Sequence, residues 1–275
     1  MTGPRAVIRY RWISGRLTTF FGTVALVLGW WLFSVLAFRP DEGTTYDPVP
    51  SPWAVVRQIV DDGFTAYWDF FSVTIHEAVV GFLWGNGLAL LLAATVLLVP
   101  RIETVVTQVA VVTYCLPLVA VGGISIVALG GAESPGDPSK TAIFLAALSV
   151  FFTTVVGALL GFKAADKASL DVVRVFGGGR FRQLYKVRLI AALPAILNAL
   201  QIAVPTSLLG AVLGEYMGAT DRSVGITLIR LQGQLDSVRV WAVFLLCALV
   251  ALIGYAVFGL LARLVTPWVA GRRSA

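Results

Sequence analysis

The sequence predicts an all-α integral membrane protein with six transmembrane helices, and three observations support that fold class. Hydrophobic residues make up 58% of the 275 residues and charged residues only 13%, whereas about a quarter of the residues in soluble domains are charged. The mean hydropathy is +0.86. Apolar runs long enough to cross a bilayer recur along the chain, and basic residues are concentrated in alternate segments between those runs.

Each apolar run has the length of about 20 residues that a spanning helix needs. The predicted spans are residues 18–38, 73–99, 105–129, 141–162, 190–217 and 240–265, within one transmembrane domain of residues 1–275. The first run is longer than the apolar core of a signal peptide and lacks a convincing cleavage site, so we expect it to be retained. Residues 39–71 are expected to form an extended stretch and then a short amphipathic helix from Trp53.

The distribution of charge predicts the orientation of the chain. If the N-terminus is cytoplasmic, 15 of the 21 basic residues fall in cytoplasmic segments, and most acidic residues fall on the outer side. Both termini and residues 163–189 are then expected in the cytoplasm. This topology accounts for the net charge of +6, so the charge gives no reason to expect a nucleic-acid partner.

Residues 163–189, which we call the basic segment, interrupt the apolar chain with seven cations around three consecutive glycines. The cations are Lys163, Lys167, Arg174, Arg180, Arg182, Lys186 and Arg188, and the glycines are Gly177, Gly178 and Gly179. Apolar residues recur at helical spacing on both sides, which predicts a helix, a glycine turn and a second helix. A loop that only sets topology remains an alternative, but helix connections are usually shorter. A phosphate-binding loop is disfavoured because the GxxxxGK[ST] spacing is missing.

The basic segment resembles the EAA loop found in permease subunits of binding-protein-dependent ABC importers. The family pattern is EAA, three residues, G, nine residues and IxLP. Here Asp171-Val172-Val173 stands in the place of EAA, Gly177 matches the glycine, and Val187-x-Leu189 matches IxL. Ile190 replaces the proline, and Pro194 matches a proline usually found four residues later.

Further similarity runs along most of the chain and is greatest to the nitrate/sulfonate/taurine-type branch of these permeases. The matching stretches are Pro50-Ser51-Pro52, Gly81-Phe82, Tyr114 to Ala120, Phe151-Phe152 with Thr154 and Gly157, and Gly214-Glu215-Tyr216-Met217-Gly218. The chain departs from the pattern at Glu77, where an arginine is common, at Gly123, where a second proline is expected, and in the long outer loop 130–140.

The resemblance implies a type I ABC importer permease whose two short helices couple it to a cytoplasmic ABC ATPase dimer. The implied coupling residues are Asp171, Arg174, Gly177, Gly178, Gly179, Arg180, Val187, Leu189 and Pro194. The chain has no Walker motif, so ATP and Mg would bind the partner ATPase and this chain would bind no cofactor. The other implied partners are a second permease (identical or related), a periplasmic or lipid-anchored substrate-binding protein, and the lipid of a bacterial plasma membrane.

Ionisable and polar residues inside the spans are the candidates for the translocation path. These candidates are Glu215, Pro117, Thr206 and Ser207. Glu215 either lines the path or its outer gate, or serves as a structural hydrogen-bond partner, and the sequence leaves both open. An ion-coupled secondary transporter is the alternative function, but such a protein needs intramembrane carboxylates, and only Glu77 and Glu215 are available.

No residue pattern indicates catalysis or metal binding. The single histidine, His76, is expected at the membrane interface, and Cys115 and Cys247 lie in apolar runs and are interpreted as packing residues. The sequence does not identify the solute. The resemblance suggests sulfonates, nitrate-like anions or pyrimidine-type vitamin precursors.

Overall fold

The computed structural model describes residues 4–37, 48–134, 136–217 and 220–268, with side chains from residue 17 onward, and these residues form helices without any strand. The long helices are α1 (Pro4–Ala37), α2 (Pro52–Leu98), α5 (Lys140–Lys163), α8 (Leu189–Tyr216) and α10 (Ser237–Val265). The shorter ones are α3 (Glu103–Cys115), α4 (Leu118–Leu129), α6 (Lys167–Val175), α7 (Arg180–Gln183) and α9 (Val224–Gly233).

Five of these helices are long and apolar enough to cross a membrane, and the number rises to six if the bent pair α3–α4 counts as one span. The all-α membrane fold class is therefore confirmed. Some residues named in the sequence analysis lie outside the described part of the chain. They are the basic side chains among the first 16 residues, Gly218, Arg272 and Arg273.

The third predicted span is not one straight helix, because α3 and α4 are bent by 96° relative to each other. Leu116 is extended between them, with φ −70° and ψ 129°. Proline has no backbone N–H and disfavours the helical conformation for the residue before it, and here α3 ends before Pro117 and α4 starts after it. The prediction of one continuous helix over 105–129 is wrong at this position.

The second predicted span begins earlier than the sequence indicates. The range α2 holds two helices that meet at Gly63: the first, from Pro52, is the short helix expected from Trp53, and the second contains the apolar run from residue 73. Gly63 breaks its helical geometry with φ 76° and ψ 161°, a conformation that a residue with a Cβ atom rarely adopts. The segment after α8 also contains a helix that the sequence analysis did not predict, α9.

Contacts within the chain divide it into two compact units. The first unit comprises Met1–Phe64 and Arg230–Phe244. Within it the rings of Trp30 and Trp241 stack at 5.2 Å, and Arg239 forms ion pairs of 2.8 Å with Asp62 and 3.1 Å with Asp236. The second unit comprises Thr65–Ile229 and Leu245–Ala275 and contains the candidate sites. A single domain over residues 1–275 remains a prediction.

Small residues set the packing of α5 against α8 in the second unit. A Cβ atom on Gly157 would lie 2.5 Å from the Cβ of Ala199, and one on Gly210 would lie 2.7 Å from the carbonyl oxygen of Leu145. Gly161 and Gly214 continue the two rows, so each helix carries glycines four residues apart along the contact. This spacing brings two membrane helices together at backbone distance.

Helix α2 packs on another face of α5 in the same way. Gly81 and Gly85 are again four residues apart, and a Cβ on Gly85 would lie 2.3 Å from the carbonyl oxygen of Ala147. One residue further on, the buried amide of Asn86 donates to the carbonyl of Phe82 at 2.7 Å and accepts a hydrogen bond from the hydroxyl of Thr154. Helix α5 is therefore the central helix of this unit, with α2 and α8 both held closely against it.

Candidate functional site

The basic segment folds as a helix, a glycine turn and a second helix. Asp166 caps the N-terminus of α6 by accepting a hydrogen bond from the backbone N–H of Ser169 at 3.1 Å. At the other end, Gly178 N–H donates to the carbonyl of Val173 at 2.8 Å and Gly177 N–H donates to that of Arg174 at 2.9 Å. With Gly177 at φ 72°, these bonds form a Schellman motif, which ends a helix and fixes the direction of the following chain.

Gly178 is required at its position by space rather than by its φ angle. A Cβ atom there would lie 2.4 Å from Cγ1 of Val173 and 2.6 Å from its carbonyl oxygen. The neighbouring Gly179 has φ −72° and ψ −178°, which any residue can adopt, and no atom within 4 Å of an added Cβ. Glycine is therefore favoured at position 177 by the positive φ angle and at position 178 by the lack of space for a Cβ atom, whereas neither condition applies at position 179.

The second helix of the basic segment does not end before the fifth predicted span. α7 continues through one π-helical turn, Leu184–Arg188, directly into α8, and residues 180–216 form one apolar helix. Val187 and Leu189 therefore lie within a continuous rod, and Pro194 lies inside α8. The sequence predicts a separate short helix because the basic residues conceal the continuity.

Large apolar side chains of the basic segment face outward. The exposed fractions are 83% for Val175, 80% for Phe176, 71% for Phe181 and 67% for Tyr185. We call these four residues the apolar patch. Arg174 lies beside it and pairs with Asp171 at 3.0 Å. Exposed aromatic rings next to charged side chains are common at protein contact surfaces.

Behind the turn lies a cleft of about 530 Å³. Its lining residues are Val96, Leu97, Pro100, Glu103, Lys163, Arg174, Gly178, Gly179, Arg180, Gln183 and Arg188. Arg180 crosses it and donates to the carbonyl of Leu98 at 3.2 Å, Lys163 pairs with Glu103, and Arg188 reaches the carbonyl of Phe162 at 3.5 Å. The basic segment is therefore attached to the ends of α2, α3 and α5.

The structure distributes the four candidate path residues among different environments. Pro117 is exposed at the bend between α3 and α4. The hydroxyls of Thr206 and Ser207 bond to carbonyls of their own helix, at 2.9 Å to Ala203 and 2.8 Å to Val204. Glu215 has no exposed surface. That all four line a translocation path remains a prediction.

Glu215 lies in a junction that joins α8 to three other elements. Its Oε2 accepts a hydrogen bond from the backbone N–H of Gly225 at 2.7 Å, and its carboxyl group lies beside that of Glu77. Glu77 is also fully buried and accepts from the backbone N–H of Ser139 at 2.6 Å. The sequence analysis noted Glu77 as a departure from a pattern and as one of two carboxylates within the spans, but its pairing with Glu215 required the tertiary structure.

The other residues noted in the sequence are the single histidine and the two cysteines. His76 is exposed, Cys247 is half-buried, and Cys115 is exposed rather than packed in the core of the described chain. The described residues contain no group of three His, Cys, Asp or Glu side chains that could hold a metal ion. In the loop of residues 130–140, the ammonium group of Lys140 lowers the pKa of Glu133 by a hydrogen bond and by its charge.

Comparison with known proteins identifies the family. Residues 85–271, more than half of the chain, match the model of the binding-protein-dependent transport system inner membrane component. This range contains the basic segment, all the residues that line the cleft, and Glu215.

Three curated relatives agree with this match. A formylaminopyrimidine transport permease of Halalkalibacterium halodurans is 25% identical over 80% of this chain and 85% of its own. A probable ABC transporter permease of Haemophilus influenzae is 29% identical over 75% of this chain and 81% of its own. A putative aliphatic sulfonates transport permease of Bacillus subtilis is 25% identical over 94% of this chain and 89% of its own.

These relatives favour an ABC permease over an ion-coupled transporter, and the family is one of permease subunits rather than enzymes. The helix–glycine turn–helix of the basic segment, the apolar spans and the match over residues 85–271 lead to the same conclusion. The chain belongs to the binding-protein-dependent inner membrane component family and is a multi-pass permease subunit of an ABC importer.

Proposed function

We propose that this permease forms part of the solute path and is driven by a cytoplasmic ABC ATPase that binds the basic segment. The observation that carries this proposal is the apolar patch, where Phe176 is 80% exposed and Phe181 is 71% exposed on either side of the glycine turn. Such rings are costly to leave in water and fit a groove on a partner. Arg174, Arg182 and Lys186 surround the patch with positive charge, which suits an acidic rim on that partner.

The structure supports a mechanical route from this surface to the spans. Because α7 continues through the π-helical turn into α8, a movement of Arg180 or Phe181 also moves the start of the fifth span. The bond from Arg180 to the carbonyl of Leu98 links the same point to the end of α2. Alternating access follows if closure of the ATPase moves the basic segment and the attached helices rock around the path.

ATP and Mg belong, in this proposal, to the ATPase dimer, and this chain binds no cofactor. A second permease, identical or related, completes the path, and a periplasmic or lipid-anchored binding protein delivers the solute. The coupling residues are those predicted from the sequence: Asp171, Arg174, Gly177, Gly178, Gly179, Arg180, Val187, Leu189 and Pro194. Val187 and Leu189 act through the continuous helix.

The solute is set largely by the binding protein, so the names of the relatives supply only a first panel. One relative is named for formylaminopyrimidine and another for aliphatic sulfonates. Uptake of these two classes by cells that express the complete transporter, compared with cells that lack this permease, would show which class it carries.

The proposed orientation places both termini and the basic segment in the cytoplasm. Single cysteines at positions 175 and 134, introduced after Cys115→Ala and Cys247→Ala, test it because Val175 and Ser134 are both exposed. In intact spheroplasts a membrane-impermeant maleimide should label position 134 and not position 175. The opposite pattern would show that the basic segment is external and would exclude the coupling proposal.

The coupling role is tested in proteoliposomes that contain the permease, its ATPase and its binding protein. Gly178→Val should displace Val173 and distort the turn, because the added Cβ would lie 2.4 Å from Cγ1 of Val173. Arg180→Glu should remove the bond to Leu98 and reverse a charge beside the patch. Both variants should lose most uptake and the stimulation of ATP hydrolysis by binding protein.

Two matched variants control for nonspecific damage. Gly87→Val adds the same side chain to α2 at a position with no atom within 4 Å, and Arg263→Glu reverses an exposed charge at the end of α10. Both should retain uptake. Normal uptake by Gly178→Val and by Arg180→Glu would contradict the proposal.

A further inference from the structure

Two buried carboxyl groups from different helices meet in the second unit. Glu77 of α2 and Glu215 of α8 have no exposed surface, and their carboxyl groups lie within hydrogen-bonding reach of each other. We call them the carboxyl pair. A buried ionised carboxylate is costly in a protein interior, and more so in a membrane protein, unless a charge or several hydrogen bonds compensate it.

Each carboxyl group has one oxygen that is satisfied and one that is not. Oε1 of Glu77 accepts from the backbone N–H of Ser139 at 2.6 Å, and Oε2 of Glu215 accepts from that of Gly225 at 2.7 Å. The other two oxygens, Oε2 of Glu77 and Oε1 of Glu215, receive no hydrogen bond from any donor in the described part of the chain. Buried oxygen atoms without a donor are rare in folded proteins.

The lysine and the arginine nearest in sequence to the two backbone donors of this junction are paired elsewhere. Lys140, next to Ser139, pairs with Glu133 at 2.7 Å. Arg222, close to Gly225 in the chain, pairs with Asp69 at 3.3 Å. The remaining groups that face Glu215 are the hydroxyls of Thr74 and Ser223 and, from α10, the thiol of Cys247, none of which supplies a positive charge.

We propose that Glu77 and Glu215 share a single proton, so that the pair carries one negative charge instead of two. A proton on Oε2 of Glu77 makes it a donor to Oε1 of Glu215, and a proton on Oε1 of Glu215 gives the reverse bond. In both cases one O–H group satisfies both unpaired oxygens and removes the repulsion between two adjacent carboxylates.

The remaining negative charge is stabilised by two helix N-termini. Ser139 is the N-cap residue of α5, and Gly225 is the second residue of α9. Their N–H groups point at opposite ends of the pair, where the helix dipoles favour an anion. Thr74 adds a further link, because its hydroxyl oxygen accepts from the backbone N–H of Val224 at 3.0 Å. The shared proton thus joins α2, α5, α8 and α9.

Infrared spectroscopy of the purified permease in nanodiscs at neutral pH tests for the proton directly. The wild-type protein should show the C=O stretching band of a protonated carboxylic acid, which shifts when glutamate is labelled with carbon-13. Glu77→Gln and Glu215→Gln should each abolish the band, because the amide then donates to the remaining carboxylate and no proton is needed. Glu103→Gln, which alters a half-buried glutamate paired with Lys163, should leave it unchanged.

Thermal unfolding of the same samples tests the role of the hydrogen bond. Glu77→Gln should unfold near the wild-type temperature, since its amide oxygen still accepts from Ser139 and its NH2 group still donates to Glu215. Glu77→Ala leaves a buried carboxylate without that donor and should lower the midpoint on the order of 5 °C. If Glu77→Ala does not fold, the infrared band and the Gln variants still decide.

Two outcomes would overturn the proposal. Absence of a protonated carboxyl band in the wild-type protein, or its persistence in both Gln variants, would show that the pair holds no shared proton. An unfolding midpoint that rises with added Na⁺ or Ca²⁺ in the wild-type protein but not in Glu77→Gln would show that a metal cation, rather than a proton, neutralises the pair.

Discussion

A Cβ atom on Gly214 of α8 would lie 2.5 Å from the Cα of Ala142 of α5. The two helices are therefore in contact through their backbones here. Gly214 directly precedes Glu215, and Ala142 lies three residues after the N-cap residue Ser139. This contact fixes how close α8, which carries Glu215, comes to α5, whose N-cap residue Ser139 donates to Glu77.

Gly214→Val should destabilise the permease by about 3 kcal/mol, because the obstacle is backbone and cannot rotate away. The midpoint of thermal unfolding in detergent measures the effect. The matched control is Gly87→Val, where an added Cβ has no atom within 4 Å. Equal midpoints for the two variants would show that α5 and α8 do not make this close contact.

Thr154→Val should cost about 1 kcal/mol, because it removes the hydroxyl that donates to the buried amide oxygen of Asn86 while keeping the side-chain volume. Thr95→Val makes the same change where the hydroxyl bonds only to its own helix, at the carbonyl of Leu91. The difference in denaturant or thermal midpoint between the two variants isolates the bond between α2 and α5. A larger loss for Thr95→Val would contradict it.

Gly177→Ala should lower stability by roughly 1 kcal/mol, since Gly177 has φ 72° and an L-residue with a Cβ is strained there. Gly179→Ala, two residues away at φ −72° and in open space, should leave the unfolding midpoint where it is. Because neither added methyl group meets another atom, the comparison separates backbone strain from steric overlap. A loss confined to Gly179→Ala would refute the Schellman geometry.

Pro117→Ala should partly straighten the bend between α3 and α4. It restores a backbone N–H and lets Leu116 become helical. Spin labels at the exposed positions Val105 and Val127, in a background without Cys115 and Cys247, report the bend by pulsed electron resonance. With axes bent by 96°, the backbone separation should be about 20 Å, against about 33 Å for a straight helix at 1.5 Å per residue.

The Pro117→Ala distribution should gain a longer component relative to the parent protein. A parent separation already near that of a straight helix would show that α3 and α4 form one continuous span. Replacing the neighbouring Val119 with Ala provides a control, because it changes an exposed side chain on α4 without altering a backbone donor.

The sequence by itself determined the fold class, most of the membrane-spanning regions and the family. These properties depend on local features: run length, composition, and the spacing from Asp171 through Gly177 to Leu189 that resembles the EAA loop. Hydropathy is summed along the chain, so membrane-spanning regions can be predicted from it without knowledge of any contact. The glycine turn was also predictable, because three consecutive glycines are rarely compatible with an uninterrupted helix.

The tertiary structure alone decided which residues of distant segments meet. The basic segment could not show that α7 continues into α8, because its charges hide the periodicity across Leu184–Arg188. Hydropathy could not register the bend at Pro117, since the run 105–129 is apolar on both sides. Glu77 and Glu215 are 138 positions apart, and each has its own backbone donor from a third or fourth element. Their pairing depends on how closely the glycine rows let α2, α5 and α8 approach, which is a property of three packed helices and of no single stretch of chain.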